Sequence, residues 1–169
     1  VGKVADALII IDMQKGVCQN NGEDINRLSE MTEVINQRVT LYHQIGLPVI
    51  WIQHQDDQIQ PDSEAYELLD NLNVAIGTDK IMSKTHPDSF YHTELSDLLG
   101  RLSANAIEIM GAQVEYCVDS TIKAAFDRGY KILMQHGAST TYDNAYMSAS
   151  ATRNFYENIW DQRFVEWLD

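Results

Sequence analysis

Three side chains in this sequence could together activate a thiol: Asp12, Lys84 and Cys117. A cysteine nucleophile needs a base to take its proton and a positive charge to steady the anion. Asp12 comes directly after the apolar run Ala7-Leu8-Ile9-Ile10-Ile11, Lys84 directly after the weaker run Lys80 to Ser83, and Cys117 seven residues past Met110. Each has an ordinary reading: a carboxylate beside a strand caps a loop or helix, a lone cysteine is buried and inert, a lone lysine is solvated. All three at the ends of separate strands outweigh those readings. Val118, Ile122 and Ala125 mark the inner face of a helix, which puts Cys117 in its first turn. Unpaired N–H groups and the helix dipole there favour a thiolate.

The elements that must carry these residues follow from periodicity. Uninterrupted apolar runs at Ala7–Ile11, Val49–Ile52, Ala106–Met110 and Lys131–Met134 read as strands buried on both faces, with Lys80–Ser83 a weaker one. Between them lie stretches of helical spacing: 24–44, stopped by Gly46 and Pro48; a short piece around 64–72; Leu95 to Leu102; the helix after Cys117, closed at Gly129; and 145–158. Residues 162–168 read as a final short strand or a surface segment. Alternation of strand and helix predicts an α/β fold: a single Rossmann-like domain over residues 1–169. It is a three-layer α/β/α arrangement with a mainly parallel sheet of about six strands. Ligands of such sheets sit beyond the carboxyl ends of the strands, where the three residues fall.

Composition narrows the partners. The chain has 169 residues, one domain's worth, with 12 Lys+Arg against 25 Asp+Glu, a formal charge of −13. That charge opposes phosphate backbones and anionic lipid, so neither nucleic acid nor membrane is an expected partner. Cys18 and Cys117 allow at most one disulfide and suit a reducing, cytoplasmic setting. The run Ala7–Ile11 is too short to span a bilayer, and no basic-then-apolar leader precedes it. Between Arg38 and Lys80 there is no Lys or Arg, while Asp56, Asp57, Asp62, Glu64, Glu67, Asp70 and Asp79 fall there. If this segment covers the site, its field favours neutral or cationic small molecules.

The text around these residues resembles the isochorismatase-like cysteine hydrolases, a superfamily of isochorismatases, nicotinamidases and N-carbamoyl amide hydrolases. The matching blocks are Ala7-Leu8-Ile9-Ile10-Ile11-Asp12-Met13-Gln14, Lys84-Thr85-His86-Pro87-Asp88-Ser89-Phe90 and Gly111-Ala112-Gln113-Val114-Glu115-Tyr116-Cys117-Val118-Asp119-Ser120-Thr121, continued by Ala124 to Tyr130. The resemblance implies Asp12 as general base, Lys84 as the cation beside it and Cys117 as nucleophile. It also implies a cis peptide between Ala112 and Gln113, with the Gln113 and Cys117 N–H groups facing an oxyanion. The implied activity is hydrolysis of a small amide, lactam or carbamoyl compound through a thioester. Dimers or tetramers are usual in the family.

Nicotinamidases of this family add a metal through an Asp-x-His pair after strand two, whereas this chain reads Gln53-His54-Gln55-Asp56 with the two positions exchanged. Neither a metal nor another cofactor is therefore expected, and His54 reads as a structural histidine, with its meeting Asp56 or His86 at a metal left open. Gln14, Gln53, Phe90 and Tyr116 are the expected substrate walls, with Val17, Cys18 and Tyr142 nearby. The purpose of Cys18 stays open. Two other functions compete: a vinyl-ether hydrolase of the isochorismatase type, which needs no cysteine, and a non-catalytic binding or oligomeric scaffold.

Overall fold

The computed structural model describes residues 3–169. Strand β1 (Ala7–Ile11) leads into a helical turn α1 (Lys15–Cys18), an antiparallel hairpin of β2 (Gln19–Asn20) and β3 (Glu23–Asp24), and the long helix α2 (Leu28–Ile45). Then come β4 (Val49–His54), a 3₁₀ turn at Glu64–Tyr66, β5 (Lys80–Lys84), α3 (Leu95–Arg101) and β6 (Ala106–Ala112). A π-helical turn at Val114–Val118 runs straight into α4 (Asp119–Asp127), followed by β7 (Lys131–Met134), β8 (Ser139–Thr140), α5 (Ala149–Trp160) and β9 (Glu166–Trp167).

The central sheet has seven strands in the order β5-β4-β1-β6-β7-β9, with β8 added beside β6, and every pairing in it is parallel. The chain starts at the middle, works outward to β5, then crosses back to lay β6 on the other side of β1. That reversal leaves a crevice beyond the carboxyl ends of β1 and β6. β1 is buried along its whole length, as its apolar run requires. Its side chains alternate between two cores: Ile9 and Ile11 join α3, α4 and Trp160, while Leu8 and Ile10 join α2. Each such fully buried Ile or Leu contributes about 1.5–3 kcal/mol relative to exposure.

The departures from the expected boundaries have local causes. α2 starts at Leu28, not near residue 24, because Glu23 and Asp24 pair in the hairpin and Arg27 turns left-handed at φ 56°. The helical piece expected over 64–72 shrinks to the 3₁₀ turn, since Gln14 bridges Leu68, the Lys15 N–H donates to the Glu67 carbonyl and the Leu69 N–H donates to the Met13 carbonyl, drawing that segment out along residues 13–15. α5 starts at Ala149, capped by Ser148, because Asp143 and Asn144 hold residues 144–149 in a turn. Trp160 is fully buried and donates to Asp119, while Trp167 stacks on His136.

Two buried features fix how closely the layers approach. Gly111 sits in β6 at φ 130°, and a Cβ there would lie 2.2 Å from the Ile11 carbonyl oxygen, so β1 and β6 meet closely only because it is glycine. On the α2 side, Arg38 grips Glu108 of β6 through two hydrogen bonds of 2.8 and 2.6 Å, and the Tyr42 hydroxyl donates to the same carboxylate.

Candidate active site

The strand ends deliver the three proposed residues to one place. Asp12 follows β1 in a left-handed conformation (φ 56°), which aspartate tolerates better than most residues, and its N–H donates to the Ile52 carbonyl of β4. Lys84 closes β5 and stands in register with His54 of β4, so the two side chains leave the same face of the sheet. Cys117 lies within the π turn after β6, partly exposed.

The Lys84 ammonium is the centre of the arrangement. Its Nζ lies 3.1 Å from Asp12 Oδ2, 3.2 Å from Cys117 Sγ and 2.9 Å from His54 Nδ1, and its side chain is fully buried. An ammonium has three hydrogens and accepts none, so these three contacts saturate it. His54 Nδ1 must then be the acceptor, which places the ring hydrogen on Nε2, 3.2 Å from Asp56 Oδ2. The second carboxylate oxygen of Asp12 is buried and has no partner among the described residues.

Burial pushes the Asp12 carboxyl above the ordinary carboxylate range, against the pull of Lys84. The Cys117 thiol is pushed up to about 12 by burial and by the Asp12 carboxylate, with Lys84 opposing. This runs against the expectation that the helix start favours a thiolate: burial first, and then the Asp12 charge, keep the proton on the sulfur. Burial and then Lys84 hold His54 below the usual imidazole value, in keeping with a neutral ring.

The expected substrate walls divide. Gln14 is fully buried: its Oε1 accepts from the His54 N–H, and its Nε2 donates to the His54 and Tyr66 carbonyls, so it braces the loops instead of lining an opening. Gln53 likewise donates to Tyr66 O at 3.0 Å and is buried. Phe90 packs into the core, stacked on Tyr130 with Arg128 over its ring, because the turn at residues 85–92 folds inward. Tyr116 alone of the four is well exposed, beside Cys117. The Ala112–Gln113 peptide bond is cis. Cys18 is fully buried, 3.9 Å from the Asp12 carbonyl and from the Met13 sulfur, and burial pushes its thiol up to about 12.

His54, read from the sequence as a structural histidine, stands against Lys84, a contact the sequence reading did not foresee. Its signal was register: aligned as parallel neighbours, the ends of Val49–His54 and Lys80–Lys84 put an imidazole beside the lysine. Asp12, His54 and Cys117 also form a potential metal-ligand set, their donor atoms within 4.8 Å of one another. A metal would sit about 2.0–2.3 Å from each donor, in the space that the Lys84 nitrogen holds. These residues therefore do not fit a metal while Lys84 stands among them.

A doubly wound parallel sheet with ionisable residues gathered beyond the ends of β1, β5 and β6 defines an α/β enzyme architecture. Residues 6–166 match the isochorismatase domain, and the chain belongs to the isochorismatase family of hydrolases. It is similar to an isochorismatase family protein of known crystal structure, with 36% identity, a TM-score of 0.93, and coverage of 96% of this chain and 97% of that one. Streptothricin hydrolase from Streptomyces noursei is 27% identical over 81% of this chain and 55% of its own length, so the chain spans about half of that relative. The nicotinamidase of Staphylococcus aureus shares the fold at a TM-score of 0.78 and 18% identity, covering 96% of each chain. Among the described residues no helix is long and apolar enough to cross a membrane.

Proposed function

We propose that this protein is a cysteine hydrolase of a small amide, lactam or carbamoyl compound, working through a thioester on Cys117. The observation that carries the reading is the Lys84 ammonium bridging Asp12 and Cys117 at 3.1 and 3.2 Å in a buried setting. In this reading Asp12 takes the thiol proton through its unpartnered oxygen as the sulfur attacks the substrate carbonyl carbon. The carbonyl oxygen becomes an anion, received by the Gln113 and Cys117 N–H groups. Asp12 passes its proton to the leaving nitrogen, the C–N bond breaks and the thioester remains. Water, deprotonated by Asp12, then attacks the thioester; the C–S bond breaks, the sulfur regains the proton and an acid departs.

Lys84 supplies the positive charge that the anionic sulfur needs, and Tyr116 is the wall open to substrate. Asp56 and Asp57 line a cleft of about 400 Å³ with Gln55, Pro61 and Thr85, and this acidic rim favours neutral or cationic substrates. Streptothricin hydrolase and nicotinamidase among the relatives support hydrolysis of nitrogen-bearing small molecules.

The test is capture of the thioester. A panel of small amides, incubated with wild-type protein and quenched in acid within the first turnovers, should add the acyl mass to Cys117 and leave Cys117→Ala protein unmodified. Turnover by Cys117→Ala protein at the wild-type rate would sink the reading. Activity that disappears with a chelator and returns with zinc would remove Lys84 from its assigned role.

A further inference from the structure

Beyond the triad, the cluster continues outward in a line that the proposed mechanism leaves unused. His54 lies between Lys84 and Asp56, and exposure falls along that line: 48% for the Asp56 side chain, 16% for His54 and 0% for Lys84. Both partners of the imidazole are fixed. The backbone of His54 is pinned by the buried Gln14 amide, at 2.7 Å to its N–H and 2.9 Å to its carbonyl. Asp56 is held by the Gln58 and Ile59 N–H groups on Oδ1, at 2.8 and 2.9 Å, which leaves Oδ2 for the ring.

We propose that His54 and Asp56 are positioning residues: a neutral imidazole, locked as its Nε2–H tautomer by Asp56, supplies the third acceptor that holds the Lys84 ammonium against Cys117 and Asp12. This rests on the hydrolase reading and extends it from three residues to five. The charged and titratable groups facing the ring are Lys84 and Asp12 on the inner side, Cys117 within 4.8 Å, and Asp56 on the outer side. With the ring neutral, all three ammonium hydrogens have acceptors. Protonation of the ring puts N–H against N–H, and one buried ammonium hydrogen loses its partner. Lys84 is then free to turn from the sulfur, so the acidity of the thiol depends on the state of a residue that never touches it.

The readouts need no substrate. In wild-type protein carrying ¹⁵N-histidine, the His54 ring should show a bare Nδ1 and a protonated Nε2 at neutral pH. Asp56→Asn should move the ring's titration to lower pH, since it removes the anion that favours imidazolium. Alkylation of Cys117 by iodoacetamide, followed by intact mass, should slow about fourfold in His54→Ala, because one pKa unit's tenfold loss of thiolate is partly offset by a more nucleophilic sulfur. His54→Asn, whose amide oxygen can stand where Nδ1 stood, should restore the rate to within about 1.5-fold of wild type. A ring with its hydrogen on Nδ1 overturns the proposal. So does alkylation at the wild-type rate in His54→Ala, or a folded His54→Asn protein no faster than the alanine variant. Failure of thioester capture would strike the hydrolase reading and leave these measurements standing, and the reverse holds equally.

Discussion

Replacing Asp12 by Asn should push two properties of Cys117 in opposite directions. The carboxylate is the general base of the proposed reaction, and losing such a group typically costs about 10²–10⁴ in rate. It is also the anion that, after burial, holds the thiol up to about 12. The sulfur and a carboxylate oxygen lie within 4.8 Å, and two unit charges at 4.8 Å repel by about 3.5 kcal/mol at an effective dielectric near 20. At 1.36 kcal/mol per pKa unit, removing the charge lowers the thiol by roughly two and a half units. A more acidic thiolate is a weaker nucleophile, by about 0.4–0.5 log unit per pKa unit, so alkylation should gain roughly twentyfold. The assay is iodoacetamide labelling of both proteins at the same mildly alkaline pH, read by intact mass. The fully buried Cys18 serves as the slow internal reference. An Asp12→Asn protein that loses hydrolysis and is also alkylated no faster than wild type would refute the electrostatics. Asp12 would then be activating the resting thiol instead of restraining it.

Three further outcomes concern the scaffold. Arg38→Met should cost about 3–5 kcal/mol in urea unfolding, because it strands the fully buried Glu108 carboxylate, and Glu108→Leu on top of it should recover most of the loss. Gly111→Ala should leave little folded protein by near-UV circular dichroism, since the new Cβ would meet the Ile11 oxygen at 2.2 Å; a native spectrum would contradict the close β1–β6 approach. Asp12 should make stability fall with rising pH. Its folded carboxyl is raised above the unfolded value, so its contribution is full below the unfolded pKa and is lost as pH climbs through the folded one. Denaturation midpoints of Asp12→Asn relative to wild type should therefore improve as pH rises, and a flat difference would contradict the sign.

What could be seen from residue order was whatever rests on burial periodicity and on strand ends. β1 is legible because a strand covered on both faces has no polar residue to spare; Asp12 and Lys84 are legible because they end such runs, and Cys117 because it opens the helix that follows one. The edge strand β5, with Lys80, Ile81 and Ser83 exposed, carries a weaker signal for the same reason. What could not be seen was register and hydrogen-bond commitment. Gln14 looked like a pocket wall because it follows the catalytic candidate by two residues, yet its three hydrogen bonds to His54 and Tyr66 exist only once β4 and the 3₁₀ turn are in place. Phe90 was misjudged for a related reason, since an aromatic residue in a loop gives no hint of which way the loop folds. The thiol's acidity needed three-dimensional charge placement: a helix start is visible in sequence, but a carboxylate brought from 105 positions away is not.

Charge placement also revises what the acidic segment between Arg38 and Lys80 does. Asp79 lies at the amino end of β5, away from the site, where it is bound to His43, the Trp51 indole and the Ala75 N–H. Glu64, Glu67 and Asp70 gather around Lys15 at 3.9, 2.9 and 3.2 Å, so part of their field is cancelled locally. Asp56 and Asp57 remain in the cleft beside the strand ends, and Asp56 is turned toward His54. The run is therefore not one acidic lid: Asp79 and the three carboxylates around Lys15 are paired with other groups, while Asp56 and Asp57 line the cleft. A pair of surface carboxylates, screened over about 8 Å at physiological ionic strength, can bias the encounter with a charged substrate but cannot select a substrate alone. For the proposed hydrolase, discrimination among neutral and cationic amides then falls to the shape around Tyr116 and Cys117, and charge acts mainly on the rate of arrival.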